Sequence, residues 1–214
     1  METARRAGGR SAGRLDIAAA ALLLAGSRPA ASGTTRPLNL LIVAICSSRQ
    51  EPYLPQLEGL PEDAVVFEQA MALSSWCVPE RSSAAFDGAV GDRLRESGYR
   101  TRTFPLRVGS ILEWTKKDSD PFLAYVSLED PRDGRGPAVE RALVRLMHSI
   151  KKAGLWATTI VILTSDPKVT PAEEFRVPLT IHHPGHPETN GKRIPGLVRR
   201  RELVHAILET LETR

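Results

Sequence analysis

Cysteine is nearly absent from this chain, with two in 214 residues, Cys46 and Cys77. Two cysteines cannot make a disulfide framework, and they lack the paired spacing of a zinc site. Aromatic residues make up 5%, which argues against a surface that stacks nucleic-acid bases. There is no G-x-x-x-x-G-K-[ST] loop and no strand-linked G-x-G-x-x-G, so nucleotide binding has no positive support. No serine sits in a nucleophile-elbow pattern, which leaves a Ser-His-Asp hydrolase without an anchor. The apolar stretch "IAAAALLLA", residues 17–25, is too short to span a bilayer. No internal repeat is visible.

What is present belongs to a globular protein. Hydrophobic residues make up 42% and charged residues 25%, and the length suits one domain with a sizeable core. The net charge of +4 comes partly from Arg5, Arg6, Arg10 and Arg14 and from "RRR" at 199–201. Such runs are usually solvated surface, so no nucleic-acid partner is expected. Residues 1–35 are rich in Ala, Gly and Arg and read as a leader preceding a domain at 36–214. The apolar stretch, with Ala25 and Ser27 as small residues before a possible cut, resembles a secretory signal, which implies a secreted or periplasmic protein. Asp16 and the Arg-rich lead fit two rivals, an organelle-targeting segment or a plain leader on a cytoplasmic chain.

After Pro37 the pattern becomes α/β. "LNLLIVAI" (38–45), "PFLAYVSL" (121–128) and "TTIVILTS" (158–165) are continuous apolar runs, as in strands covered on both faces. "RVPLTIH" (176–182) reads as a fourth strand, its proline early, as an edge or first position requires. Residues 79–97 are predicted helical, with a break near Gly88 and an end at Gly98. Ala138, Val139, Ala142, Leu143, Leu146, Met147 and Ile150 recur at helical spacing, closed by Lys151, Lys152 and Gly154. Leu203, Val204, Ile207, Leu208 and Leu211 make a last amphipathic helix. This alternation predicts a mostly parallel sheet flanked by helices on both faces. Chemistry in such sheets collects beyond the carboxyl ends of the strands, here Cys46–Arg49, Glu129–Asp133 and Ser165–Lys168.

In "SSWCVPERSSAAFDG" (74–88), Cys77 precedes the start of a predicted helix, Pro79 suits its first turn and Arg81 follows. A nucleophile there feels the positive end of the helix dipole, and the Arg81 guanidinium can hold an anion with a fork of donors. A tetrahedral oxyanion suits that arrangement. The competing reading is a buried cysteine near a helix cap with Arg81 on the surface.

Cys77, Pro79 and Arg81 match the C-x-P-x-R pattern, and the chain thereby resembles the sulfatase family. The flanks resemble it too: "RPLNLLIVAI", "AVVFEQAMALSSW", "DRLRESGYRT", "PFLAYVSLEDP", "GLWATTIVILTSD" and "FRVPLTIHHPG" follow in the family's order over roughly residues 36–185. The resemblance implies an alkaline-phosphatase-like fold. It also implies a formylglycine nucleophile made from Cys77 by a formylglycine-generating enzyme, with Arg81 as its stabiliser. A sulfate ester is the implied substrate, calcium the implied cation and Asp166 its implied ligand.

The departures from the pattern fall on that cation site. "AICSSRQE" puts Cys46 where the family's leading Asp stands, with Ser47 next and Glu51 farther along. Pro167 replaces an expected His or Asn, and Arg132 an expected His. Calcium wants six or more oxygen ligands, and thiol sulfur does not replace a carboxylate for a hard cation. The Gly-Lys-x-His element expected after "GYRT" is missing, and the substrate-facing segment before Pro121 is truncated or compressed. The resemblance also brings Cys46 and Cys77 to one pocket, where an oxidising compartment permits a disulfide if their Cα atoms lie within about 7 Å. Two reduced, separate cysteines are the alternative. Two functions follow: a sulfuric ester hydrolase of minimal form, or an inactive pseudosulfatase that binds an anion or a protein partner.

"HHPGHP" (182–187) offers three histidines, but adjacent His182 and His183 point to opposite faces of a continuing strand. The stretch is read as a strand end and a Pro-Gly turn with no catalytic role. Glu129, Asp130 and Asp133 are read as turn carboxylates, able to help hold a cation if their loop packs toward Asp166.

Overall fold

The computed structural model describes residues 37–47, 60–72, 89–105, 108–116, 119–129, 136–167 and 175–199, together with positions 202, 205 and 211. Seven strands form one sheet: β1 (Asn39–Ser47), β2 (Val65–Ala72), β3 (Arg100–Pro105), β4 (Phe122–Glu129), β5 (Thr159–Pro167), β6 (Phe175–His182) and β7 (Arg193–Arg199). Their order across the sheet is β3-β4-β1-β5-β6-β2-β7. The β3–β4, β4–β1, β1–β5 and β2–β7 pairs are parallel, and β6 runs antiparallel to both its neighbours. The expected α/β architecture with a mostly parallel sheet is the one observed.

Three helices are described: α1 (Ala89–Glu96), α2 (Val108–Thr115) and α3 (Gly136–Lys152). Side-chain alternation on β1 supplies both faces of the sheet. Leu40, Ile42, Ala44 and Cys46 pack into one buried cluster with Leu94 of α1 and Leu211. Leu41, Val43 and Ile45 pack into the other with Ile111 of α2 and Leu143, Leu146 and Ile150 of α3. Strand β1 is therefore apolar from Leu40 to Cys46 because helices cover it on both sides.

The helix ends follow the glycines. After α1 the Tyr99 N–H donates to the Leu94 carbonyl at 2.8 Å and the Gly98 N–H to Arg95 at 3.0 Å. After α3 the Leu155 N–H reaches Ile150 at 3.1 Å and the Gly154 N–H reaches Lys151 at 3.0 Å. Gly98 and Gly154 have φ of 85° and 72°, the left-handed conformation that this double bond requires. The last helix was expected from five leucine, isoleucine and valine positions; Leu211 is helical and buried, and the other four lie outside the described residues.

One expectation is corrected. The strand at 176–182 was placed at an edge or with proline first, yet β6 is internal, between β5 and β2. Pro178 is tolerated there because the β2–β6 register shifts between Phe67 and Ala70, opposite Leu179 and Val177. Two residues of β2 face one of β6 at the proline, and the β5–β6 pairing ends at Leu179, so the missing N–H removes no regular ladder bond. The Pro178 carbonyl accepts the Thr164 hydroxyl at 2.9 Å, which ties the bulge to β5.

At the amino end of the sheet, Asn39 joins three strands. Its Oδ1 accepts the Phe122 N–H at 3.2 Å, and its Nδ2 donates to the Thr158 carbonyl at 3.2 Å. Replacing Asn39 by Ala removes both and should cost about 1–2 kcal/mol. Urea unfolding monitored by circular dichroism measures it, and an unchanged midpoint would discount the bridge.

Candidate functional site

The parallel registers bring three strand ends into one row. Cys46 is the Cα partner of Glu129 on β4 and of Asp166 on β5, and Ser47 that of Pro167. The crevice beyond such carboxyl ends is where open α/β sheets place their chemistry. Asp166, the expected cation ligand, thus lies beside Cys46 in this row. Cys77 and Arg81, the expected nucleophile and its stabiliser, lie outside the described residues, as do Asp130, Arg132 and Asp133.

Cys46 is buried, 4% exposed, at the end of an apolar strand. It is disulfide-bonded, and no cysteine among the described residues is free. Its Sγ lies 3.2 Å from the Ser127 Oγ. A half-cystine carries no S–H, so the Ser127 hydroxyl is the donor. For the same reason the approach of Sγ to the Ala44 carbonyl, 3.8 Å, is a packing contact. Ser127 escaped the sequence reading. Its signal was there, a lone serine in the apolar run "PFLAYVSL", two residues before the end of β4.

Cys46 is no ligand for a calcium ion. The position of the leading carboxylate holds a disulfide sulfur, which is neutral and soft, while calcium takes hard oxygen donors. No group of three or more His, Cys, Asp or Glu that could hold a metal occurs among the described residues.

Each of the three histidines is engaged by the surrounding fold. His182 Nδ1 lies 2.7 Å from the Asp63 carbonyl and Nε2 3.0 Å from that of Trp156, so both nitrogens face backbone acceptors. Its ring stacks on Trp156 at 3.9 Å, and Lys151 sits over the same indole while pairing with Asp63. His183 Nδ1 accepts the Gly185 N–H at 3.0 Å, which closes the Pro-Gly turn. His186 Nδ1 donates to Glu188 Oε1 at 2.8 Å.

That last bond holds the exposed Glu188 carboxyl below its ordinary pKa, chiefly through His186, with a smaller backbone contribution. A lowered folded pKa contributes stability that is present above the unfolded value and lost as pH falls through the folded one. The Glu188 titration midpoint, followed by carboxyl NMR, should rise toward the ordinary glutamate value in His186→Phe. An unmoved midpoint would refute this cause.

No protein-family model and no curated protein matches this sequence. Solved structures do. The chain is similar to a protein in the alkaline phosphatase superfamily from Vibrio parahaemolyticus, at 15% identity and a TM-score of 0.58, over 92% of this chain and 76% of that one. It is similar to the PsFucS1 sulfatase from Pseudoalteromonas sp., at 12% identity and 0.55, over 92% and 71%. It is also similar to the phosphonate monoester hydrolase of Agrobacterium radiobacter, at 13% identity and 0.52, over 77% and 71%. The fold is sulfatase-like, of the alkaline-phosphatase type. In this alkaline-phosphatase-like sheet the row through Glu129, Cys46 and Asp166 marks the carboxyl end. No helix of the described residues is long and apolar enough to cross a membrane.

Proposed function

We propose that this is a pseudosulfatase, a sulfatase-like domain that binds a tetrahedral oxyanion, or a partner presenting one, without hydrolysing the ester. The observation that carries the reading is the buried, disulfide-bonded Cys46 in the row of strand ends. A site built there has a neutral sulfur between Glu129 and Asp166 where the family resemblance expects a further carboxylate, while the "CVPER" segment keeps in sequence the residues of an anion site, Cys77, Pro79 and Arg81. The neighbours named as a sulfatase and a phosphonate monoester hydrolase support the tetrahedral oxyanion class.

In this reading the site holds no cation, and the consequence for rate is large. Loss of one preorganised electrostatic contact typically costs ~100- to 1000-fold in rate. Protein co-expressed with a formylglycine-generating enzyme should therefore turn over no aryl sulfate with calcium, magnesium or manganese. Turnover that disappears in Cys77→Ala would overturn the proposal. Sulfate should still raise the melting temperature, and Arg81→Ala should weaken sulfate binding about tenfold. Equal sulfate affinity in both proteins would remove Arg81 from the site.

A second reading is favoured by the intact Cys77, Pro79 and Arg81 pattern and by Asp166 in the strand-end row. In it the protein is a sulfuric ester hydrolase of minimal form, acting through formylglycine at position 77. The leader at 1–35 fits export to the periplasm or beyond.

A further inference from the structure

We infer that Cys46 is bonded to Cys77, and that this disulfide occupies the sulfur from which a formylglycine nucleophile would be made. The inference deepens the proposed function and rests on its placing of Cys77 in the nucleophile position.

Composition and burial select the partner. Cys77 is the one other cysteine in the sequence. Cys46 is 4% exposed near the end of β1, so the thiol of a second copy has little access to it. Topology supplies the reach. β6 is antiparallel to β5 and to β2, so β2 runs in the direction of β1 and ends at the same edge of the sheet. In the order β1-β5-β6-β2, the two strands are three places apart, which is ~14 Å at ordinary strand spacing. From Ala72, the end of β2, the chain to Cys77 extends up to ~17 Å. Disulfide Cα separations of about 5–6 Å add slack.

The chemistry makes two fates exclusive. In the first, the two thiols exchange with a low-molecular-weight disulfide such as oxidised glutathione. One S–S bond forms within the chain, the external S–S bond breaks, and two external thiols carry away the electrons and protons. In the second, the formylglycine-generating enzyme uses dioxygen and a thiol reductant to turn the Cys77 Cβ into an aldehyde. One oxygen atom enters the aldehyde, the other leaves as water, and the sulfur leaves as sulfide. One sulfur atom cannot serve both, so each molecule is either latched or convertible. Ser127, donating to the Cys46 sulfur at 3.2 Å, holds the buried half of the latch.

The test is a peptide map of the full chain, co-expressed with a formylglycine-generating enzyme and digested without reductant after blocking free thiols. The expected species joins the Cys46 and Cys77 peptides and vanishes on reduction. In Cys46→Ser, which leaves Ser127 a hydroxyl partner, the joined species is lost and Cys77 is recovered alkylated or as formylglycine. Complete alkylation of both cysteines in the unsubstituted protein would overturn the inference. So would a Cys46-to-Cys46 dimer, or Cys77 present wholly as formylglycine. The map needs no folded variant, and it separates two failures. A latched protein that hydrolyses sulfate esters after reduction and conversion refutes the pseudosulfatase reading and keeps the latch. An unlatched, inactive protein refutes the latch and keeps the pseudosulfatase.

Discussion

Reducing the disulfide at Cys46 is expected to lower the stability of the domain by about 3–4 kcal/mol. The estimate follows from the loop that a bond to Cys77 closes, roughly 30 residues, whose entropy in the unfolded chain the cross-link removes. Against a typical total of ~5–15 kcal/mol this is a large share. A companion effect acts in the folded state. A reduced Cys46 remains buried and keeps Ser127 as a hydrogen-bond partner, so no orphaned polar group adds to the loss. Urea unfolding with and without a phosphine reductant reads the difference as a lower midpoint. The Cys46→Ser/Cys77→Ser double variant should match the reduced protein and ignore reductant. Identical midpoints for the oxidised and reduced protein would contradict a long-loop disulfide.

Phe122→Ala is expected to cost about 3–5 kcal/mol. Phe122 opens β4 and is 2% exposed. Its ring meets Trp114 of α2 edge-on at 5.7 Å, and Trp114 meets Phe104 of β3 in the same manner at 5.3 Å. The Arg100 guanidinium lies over Trp114 at 4.8 Å and donates to the Trp114 carbonyl at 3.1 Å. Truncation therefore opens a cavity where α2, β3 and β4 are joined by rings. The melting temperature should fall by on the order of 10 °C. Phe122→Leu, which refills most of the volume, should fall less. The disulfide state at Cys46, at the opposite end of the sheet, should be unchanged in both. A small shift in Phe122→Ala would mean that Trp114 closes the cavity by itself.

The two effects separate what composition and pattern determine from what needs the assembled sheet. The buried strands 39–47, 122–129 and 159–167 were legible because helices on both faces demand unbroken apolar runs. Helix α3 was legible from its 3.6-residue spacing and from Gly154, whose place after two lysines marks a left-handed cap. Strands β2, β3 and β7 carry Glu68, Gln69, Arg100, Arg102 and Arg193, and α2 is only eight residues long. Their polar positions hide a strand period that pairing imposes from outside. Pro178 misled for a related reason, since the bulge that accommodates it belongs to β2, more than a hundred residues earlier.

The candidate site divides in the same way. The sequence by itself determined that a cysteine, a proline and an arginine stand at 77, 79 and 81, and that Asp166 follows an apolar run. It also determined that the chain has one other thiol, since composition is independent of folding. Only the tertiary structure decided that Cys46 stands between Glu129 and Asp166, that Ser127 reaches its sulfur, and that this sulfur is disulfide-bonded. Strand order and register join positions about eighty and more than a hundred residues apart, and no local pattern encodes those pairings.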